Sequence, residues 1–200
     1  DPQAIVRVPY QKTHTPDDVL RRKIASYIAA ISGQRVSDIE RKLPEVMPRW
    51  GKVRIVDGDY ISCSWAREKR SEQGRDNSFI RYEIEVKDRA HPNRWIPQIG
   101  YGQLDEILLC TIPDNDKKLW GRLAGQVRLF AVITPCRTGG RDAARDIVAH
   151  AQSGAQIVAD IQSVMAVVGR IQTRDKWYLI DRTGGMVRPE FIPADLEDDE

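Results

Sequence analysis

Several carboxylates in this 200-residue chain stand in closely spaced pairs. Asp57 and Asp59 flank Gly58, Glu83 and Glu85 are two residues apart, and Asp105 is followed by Glu106. Two or three carboxylates that converge on divalent cations can carry metal-dependent phosphodiester chemistry. On that reading the chain is a magnesium-using nuclease, with Asp57, Asp59, Glu83 and Glu85 as its residues. The same patterns have a plainer meaning. Asp-Gly-Asp is turn composition, and glutamates alternating with apolar residues form the solvated face of a strand. Spacing alone does not bring these groups together, so no catalytic residue and no metal site is assigned. The balance leans away from an enzyme.

Other chemistry-bearing groups are more dispersed. Cys63, Cys110 and Cys136 form no C-x-x-C pair, and His14, His91 and His150 are scattered. Reduced, buried thiols are the simplest expectation. No G-x-S-x-G elbow and no lysine-bearing phosphate loop is present, and no cofactor is expected. Two runs are rich in cations. Arg67, Lys69, Arg70 and Arg75 share one stretch between Trp65 and Phe79, and Arg137, Arg141 and Arg145 share another. Cations beside aromatic rings suit phosphate neutralisation and base stacking. Acidic residues interleave in both runs, so solvated loops are the competing interpretation. Trp65, Tyr82, Trp95 and Tyr101 are candidates for an aromatic cage around a cationic ligand such as methyl-lysine; core filling is the alternative.

The elements that would position these groups fall into two blocks. Residues 1–14 read as an arm. Thr15, Pro16, Asp17 and Asp18 then mark a helix start, with Thr15 as the cap. Leu20, Ile24, Tyr27, Ile28 and Ile31 follow at helical spacing up to Gly33. A second short helix starts at Ser37, which forms a capping box with Glu40, and Pro44 limits it. From Trp50 the period changes to two. "KVRIV", the turn Asp57–Asp59 and "YISCSW" suggest a hairpin. Ile80, Tyr82, Ile84 and Val86 alternate with charges, as in a half-buried strand. Residues 88–97 read as a loop. "IGYGQLDEILLCTIP" reads as a strand in which Gly100 and Gly102 mark a bulge or a close backbone approach. "QVRLFAVITPC" reads as a central strand, residues 137–155 as a loop with one helical turn, and Val164–Gln172 with Lys176–Asp181 as a hairpin.

Two helices followed by about seven strands, without βα alternation, predict an α+β, mainly β fold: an antiparallel barrel or sandwich. The expected organisation is an arm (1–14), a two-helix segment on the barrel (15–48), a β-rich domain (49–192) and an acidic tail or linker (193–200). Positive and negative residues nearly balance at a formal net charge of +2, so only a local patch could bind nucleic acid. No apolar run has the length of a membrane span. A first residue of Asp rather than Met fits a processed chain or a piece of a longer one.

The order of phrases "WGKVRIVDGDYISCSW", "GRDNSFIRYEIEV", "YGQLDEILLCTIP", "LFAVITPC" and "VVGRIQTRDKWYLIDRTGG" resembles a block in mushroom-forming fungi. It occurs in proteins encoded by, or lying beside, DNA transposons of the Kyakuja–Dileera–Zisupton and CACTA-like groups. The resemblance spans most of residues 48–185 and carries no motif of catalytic role. The layout of "IGYGQLDEIL" followed by "GQVRLFAVITP" is also loosely similar to bromo-adjacent homology domains, which are β-barrels of chromatin proteins. These likenesses imply a nuclear docking module that binds partner proteins, or DNA or chromatin, in a transposase assembly. A transposase subdomain with nuclease chemistry and a purely protein-binding module are the alternatives.

Overall fold

The structure is a computed structural model that describes residues 4–55, 60–67, 76–88, 90–91 and 93–183. Strand β1 (Ala4–Gln11) is followed by helices α1 (Asp18–Ser32) and α2 (Val36–Lys42). Then come β2 (Arg49–Ile55), β3 (Tyr60–Ser62), β4 (Phe79–Lys87) and β5 (Trp95–Thr111). The short helix α3 (Lys117–Trp120) precedes β6 (Val127–Pro135), β7 (Ala149–His150), β8 (Ile157–Asp160), β9 (Val164–Val167), β10 (Gly169–Thr173) and β11 (Lys176–Ile180). Among the described residues all strand pairing is antiparallel. The fold is mainly β, with its two longer helices near its N-terminus.

Helix α1 buries one stripe, Leu20, Ile24, Ala25, Ile28 and Ala29, as its periodicity requires. Its cap is Asp17 rather than Thr15: a side-chain oxygen of Asp17 accepts from the Leu20 N–H at 2.8 Å. Gly33 closes the helix at φ 70°, a conformation that costs a residue without Cβ least. Helix α2 starts at Val36 with Arg35 as an N-cap that makes no side-chain capping bond, so the cap lies two residues before the expected Ser37.

The long strand β5 organises the sheet. Its first half pairs with β4, from Lys87↔Trp95 to Phe79↔Gln103. Its second half pairs with β6 on one side and with β2, through Leu108 and Ile107, on the other. The strand therefore begins inside the stretch expected to be a loop. The bulge falls between Leu104 and Glu106, not at a glycine. Gly102 marks a close approach instead: a Cβ there would lie 2.7 Å from both Ile133 Cγ2 and the Thr134 carbonyl oxygen.

Strand β6 is buried on both faces. Phe130 and Val132 join Leu108 and Cys110 beneath α1 and α2. Ala131 and Ile133 join Val53, Ile61, Ile80 and Ile107 on the other side. A strand covered twice needs an unbroken apolar run, which "LFAVI" supplies. The run after Gln156 is split by a 3-10 turn at Ile161–Ser163. β8 pairs with β6 and β9 pairs with β4, so among the described residues the hydrogen-bonded ladder does not close into a ring.

Two further features differ from expectation. The segment read as an arm contains β1, an edge strand paired with β2 from Ala4↔Ile55 to Gln11↔Arg49. Residues 137–155 hold β7, which joins the β10–β11 hairpin to make a second, three-stranded sheet. The Arg145 and Asp146 N–H groups both donate to the Asp142 carbonyl, at 3.1 and 2.9 Å, and form the single turn expected there. The hairpin turns at Arg174, φ 56°, within the predicted "TRD". A third apolar cluster, with Phe79, Tyr101, Val148 and Leu179, seals the small sheet onto the large one.

Candidate functional site

Register brings Arg81 on β4 directly opposite Tyr101 on β5, so both side chains leave the same face. That face receives the 137–155 segment and the end of β11. Arg81 Nη1 donates to Asp142 Oδ1 and to Asp181 Oδ2, each at 2.7 Å. The Tyr101 hydroxyl lies 2.6 Å from Asp181 Oδ2 and 2.9 Å from Asp142 Oδ1, and accepts from the Ala143 N–H at 2.9 Å. Asp181 is also fixed by the Thr183 N–H at 2.9 Å and its hydroxyl at 2.7 Å. The side chain of Asp181 is 0% exposed and that of Arg81 14%.

Electrostatics match this geometry. Burial alone would raise both carboxyls. For Asp142 it is outweighed by the bonds from Arg81, Ala144 N–H and Tyr101, and for Asp181 by those from Tyr101, Thr183 and Arg81. Both are held below the usual carboxylate range. Burial and the two acceptor carboxylates push the Tyr101 hydroxyl well above its ordinary value. Each proton is held where it already sits, so the set acts as a tie between two sheets.

A second tie closes the polar run that begins at Arg67. Asp76 meets Arg67 at 2.8 Å and Arg170 at 3.1 Å, and accepts from the Ser78 hydroxyl at 2.6 Å. Burial opposes ionisation of Asp76, but the Ser78 bonds and the two guanidinium groups keep its carboxyl below the usual range. Arg170 lies 3.7 Å from the centre of the Phe79 ring and 4.0 Å from that of Trp177. Arg67, read as a phosphate contact, is thus paired with Asp76 while its side chain stays 38% exposed. Lys69, Arg70 and Arg75 lie outside the described residues, as do Asp57 and Asp59.

Glu83 and Glu85 are exposed on β4. Asp105, at the bulge, accepts from Thr134 Oγ1 at 2.6 Å, Gln156 Nε2 at 2.9 Å and Ser64 Oγ at 3.3 Å. Glu106 meets Arg49 at 3.3 Å. Among the described residues no three His, Cys, Asp or Glu side chains gather as a metal site would require. All three cysteines are free and buried. Burial raises Cys110 to about 12 and Cys136 to about 11, and lifts Cys63 further.

The four aromatic residues do not assemble into a cage. Tyr82 is buried opposite Gly100, and its ring fills the space a Cβ at Gly100 would need. Tyr101 leaves the neighbouring register position, and so the other face, and is buried. Trp95 is 53% exposed, six residues along β5 from Tyr101, a separation of roughly 20 Å. Trp65 is covered by Arg49, whose guanidinium carbon sits 4.2 Å from the ring centre, and its indole N–H donates to the Trp50 carbonyl.

The second basic run behaves differently from its sequence. Asp142 turns inward to Arg81, whereas Arg137 and Arg141 are exposed and the side chain of Arg145 is 85% exposed. Arg145 Nε is 3.8 Å from Asp142 Oδ2, a loose contact at the rim. Arg137 is braced by Gln152, through its backbone N–H at 3.0 Å and its Nη1 at 3.2 Å. The segment therefore shows its cations outward while its central carboxylate anchors it to the sheet. Sequence reasoning missed Arg81 and Asp181 because they stand 100 residues apart and each resembles its charged neighbours.

No protein-family model, no curated protein and no solved structure matches this chain. No helix among the described residues is long and apolar enough to cross a membrane.

Proposed function

We propose that this chain is a non-catalytic docking module that holds DNA, bare or in chromatin, within a nuclear transposase assembly of the kind its phrases resemble. Its β-rich part would be an open-sheet variant of the bromo-adjacent homology layout. The observation that supports this reading most is the division of charge in the Arg137–Arg145 segment. Its inward carboxylate is neutralised by Arg81, and its arginines face water on a braced backbone. Arginines on a backbone tied down by Gln152 and by the Asp142–Arg81 pair suit phosphate oxygens, because less loop freedom remains to be lost on contact.

The test is fluorescence anisotropy with a labelled duplex at about 50 mM salt, where counterion release favours binding. The wild-type chain should bind. The combined Arg137→Gln, Arg141→Gln and Arg145→Gln variant should bind at least tenfold more weakly with an unchanged circular dichroism spectrum. No binding by the wild-type chain to any duplex would overturn the DNA reading in favour of a protein partner.

A further inference from the structure

The outer face of β1, β2 and β3 carries an arrangement that the fold does not need. Cross-strand register places Ile5 opposite Arg54, Arg7 opposite Lys52, and then Lys52 opposite Ser62 and Arg54 opposite Tyr60. Residues directly opposite in antiparallel strands leave the same face, so these six side chains form one surface. Arg7, Lys52, Arg54, Ile5 and Tyr60 are exposed, while the intervening Val53, Ile55 and Ile61 point into the core. No carboxylate belongs to the six. Among the described residues none of the three cations meets an acidic group within ion-pair distance; Asp57 and Asp59, in the β2–β3 link, lie outside those residues. Arg54 sits 5.7 Å from the centre of the Tyr60 ring.

Like charges directly opposite on neighbouring strands destabilise a sheet, and surfaces ordinarily intersperse the two signs. The Arg7–Lys52 pair, with Arg54 beside it, does the reverse. Such a patch gains on meeting an anion. Lys52 and Arg54 are about 6.8 Å apart along the strand, close to two 3.4 Å steps of one DNA strand. Tyr60 adds a ring at the rim on which a sugar or base can rest.

We infer that the β1–β2–β3 outer face is a contact surface for the phosphate backbone of nucleic acid, separate from the Arg137–Arg145 segment. The inference rests on the DNA reading above and adds a second surface to it. Charge complementarity selects the occupant: a repeating monoanion matches a row of cations that has no acidic partner among the described residues.

The experiment compares salt slopes of duplex binding for the full chain, the Arg7→Gln, Lys52→Gln and Arg54→Gln triple variant, and the 137–145 triple variant, each checked by circular dichroism. Losing three phosphate contacts should flatten the slope of log K against log salt by about 2.7 for the face variant. The Arg7→Lys and Arg54→Lys double variant, which keeps the charge, should retain most of the slope. A face variant with the wild-type slope beside a weakened 137–145 variant overturns this inference and leaves the DNA reading intact. Absence of binding by the wild-type chain overturns both. Equal displacement of wild-type chain by poly-glutamate and by unlabelled duplex at matched charge would mean an acidic-protein site, and would also overturn it.

Discussion

Arg81→Met removes the cation on which two carboxylates from different parts of the chain converge. Asp181 is left with no solvent exposure and only Tyr101 and Thr183 as donors, while Asp142 keeps the Ala144 N–H and the loose Arg145 contact. Breaking a buried pair by deleting one partner costs about 3–5 kcal/mol, mostly for the charge left behind. The remaining donors put the expectation at about 3 kcal/mol, a large share of the roughly 5–15 kcal/mol that stabilises a typical domain. With a urea m-value of about 2 kcal/mol/M, the unfolding midpoint should fall by about 1.5 M. Asp181→Asn in the same background should cost less than in the wild type, with a coupling of about 0.5–3 kcal/mol. The pH dependence has a definite sign. Carboxyls held below their unfolded values stabilise the fold above about pH 4, and that contribution disappears as pH falls through the lower folded values. The deficit of Arg81→Met should therefore be largest at neutral pH and shrink in acid. A midpoint shift below about 0.5 M at pH 7, or strictly additive single and double variants, would refute the tie.

Three further outcomes follow from the packing. Gly102→Ala should destabilise by about 1–3 kcal/mol, because one of the colliding atoms is the Thr134 backbone oxygen and has no rotamer to relieve it; thermal unfolding reads this directly. The three thiols should resist iodoacetamide at pH 8 in the native chain and react fully in urea, since burial keeps them protonated and covered. Burial and a nearby arginine (Arg49 for His14, Arg170 for His150) lower both histidines. Stability they contribute is complete above about pH 6.5 and is lost as pH falls through their lower folded values. His150→Gln should flatten that limb of a pH-resolved urea series.

How much of this was legible in the sequence depended on whether the signal was local. The apolar alternation in "FIRYEIEV" and the double-sided run in "LFAVI" reported strand burial directly, because each residue's environment follows from its neighbours' period. The α1 stripe and Gly33 were equally local. The edge strand β1 escaped because only Ala4 is buried and Val6 half-buried while its other residues are exposed, which leaves no apolar alternation to read. The Asp105 bulge escaped because a register shift is set by the partner strand β6. The charged sites were least legible. Arg67 and Arg145 look alike as letters, but one pairs with Asp76 and the other faces water. Which of them is available depends on where carboxylates distant in sequence arrive.

The docking account is tested most directly by one reaction that holds the wild-type chain, a nicked-or-intact reporter duplex and magnesium, sampled across a salt titration. It predicts a complex that weakens steeply as salt rises while the DNA stays intact throughout. Nicking that tracks the protein and disappears in Glu83→Ala would contradict it, as would a duplex that the chain never retains at low salt.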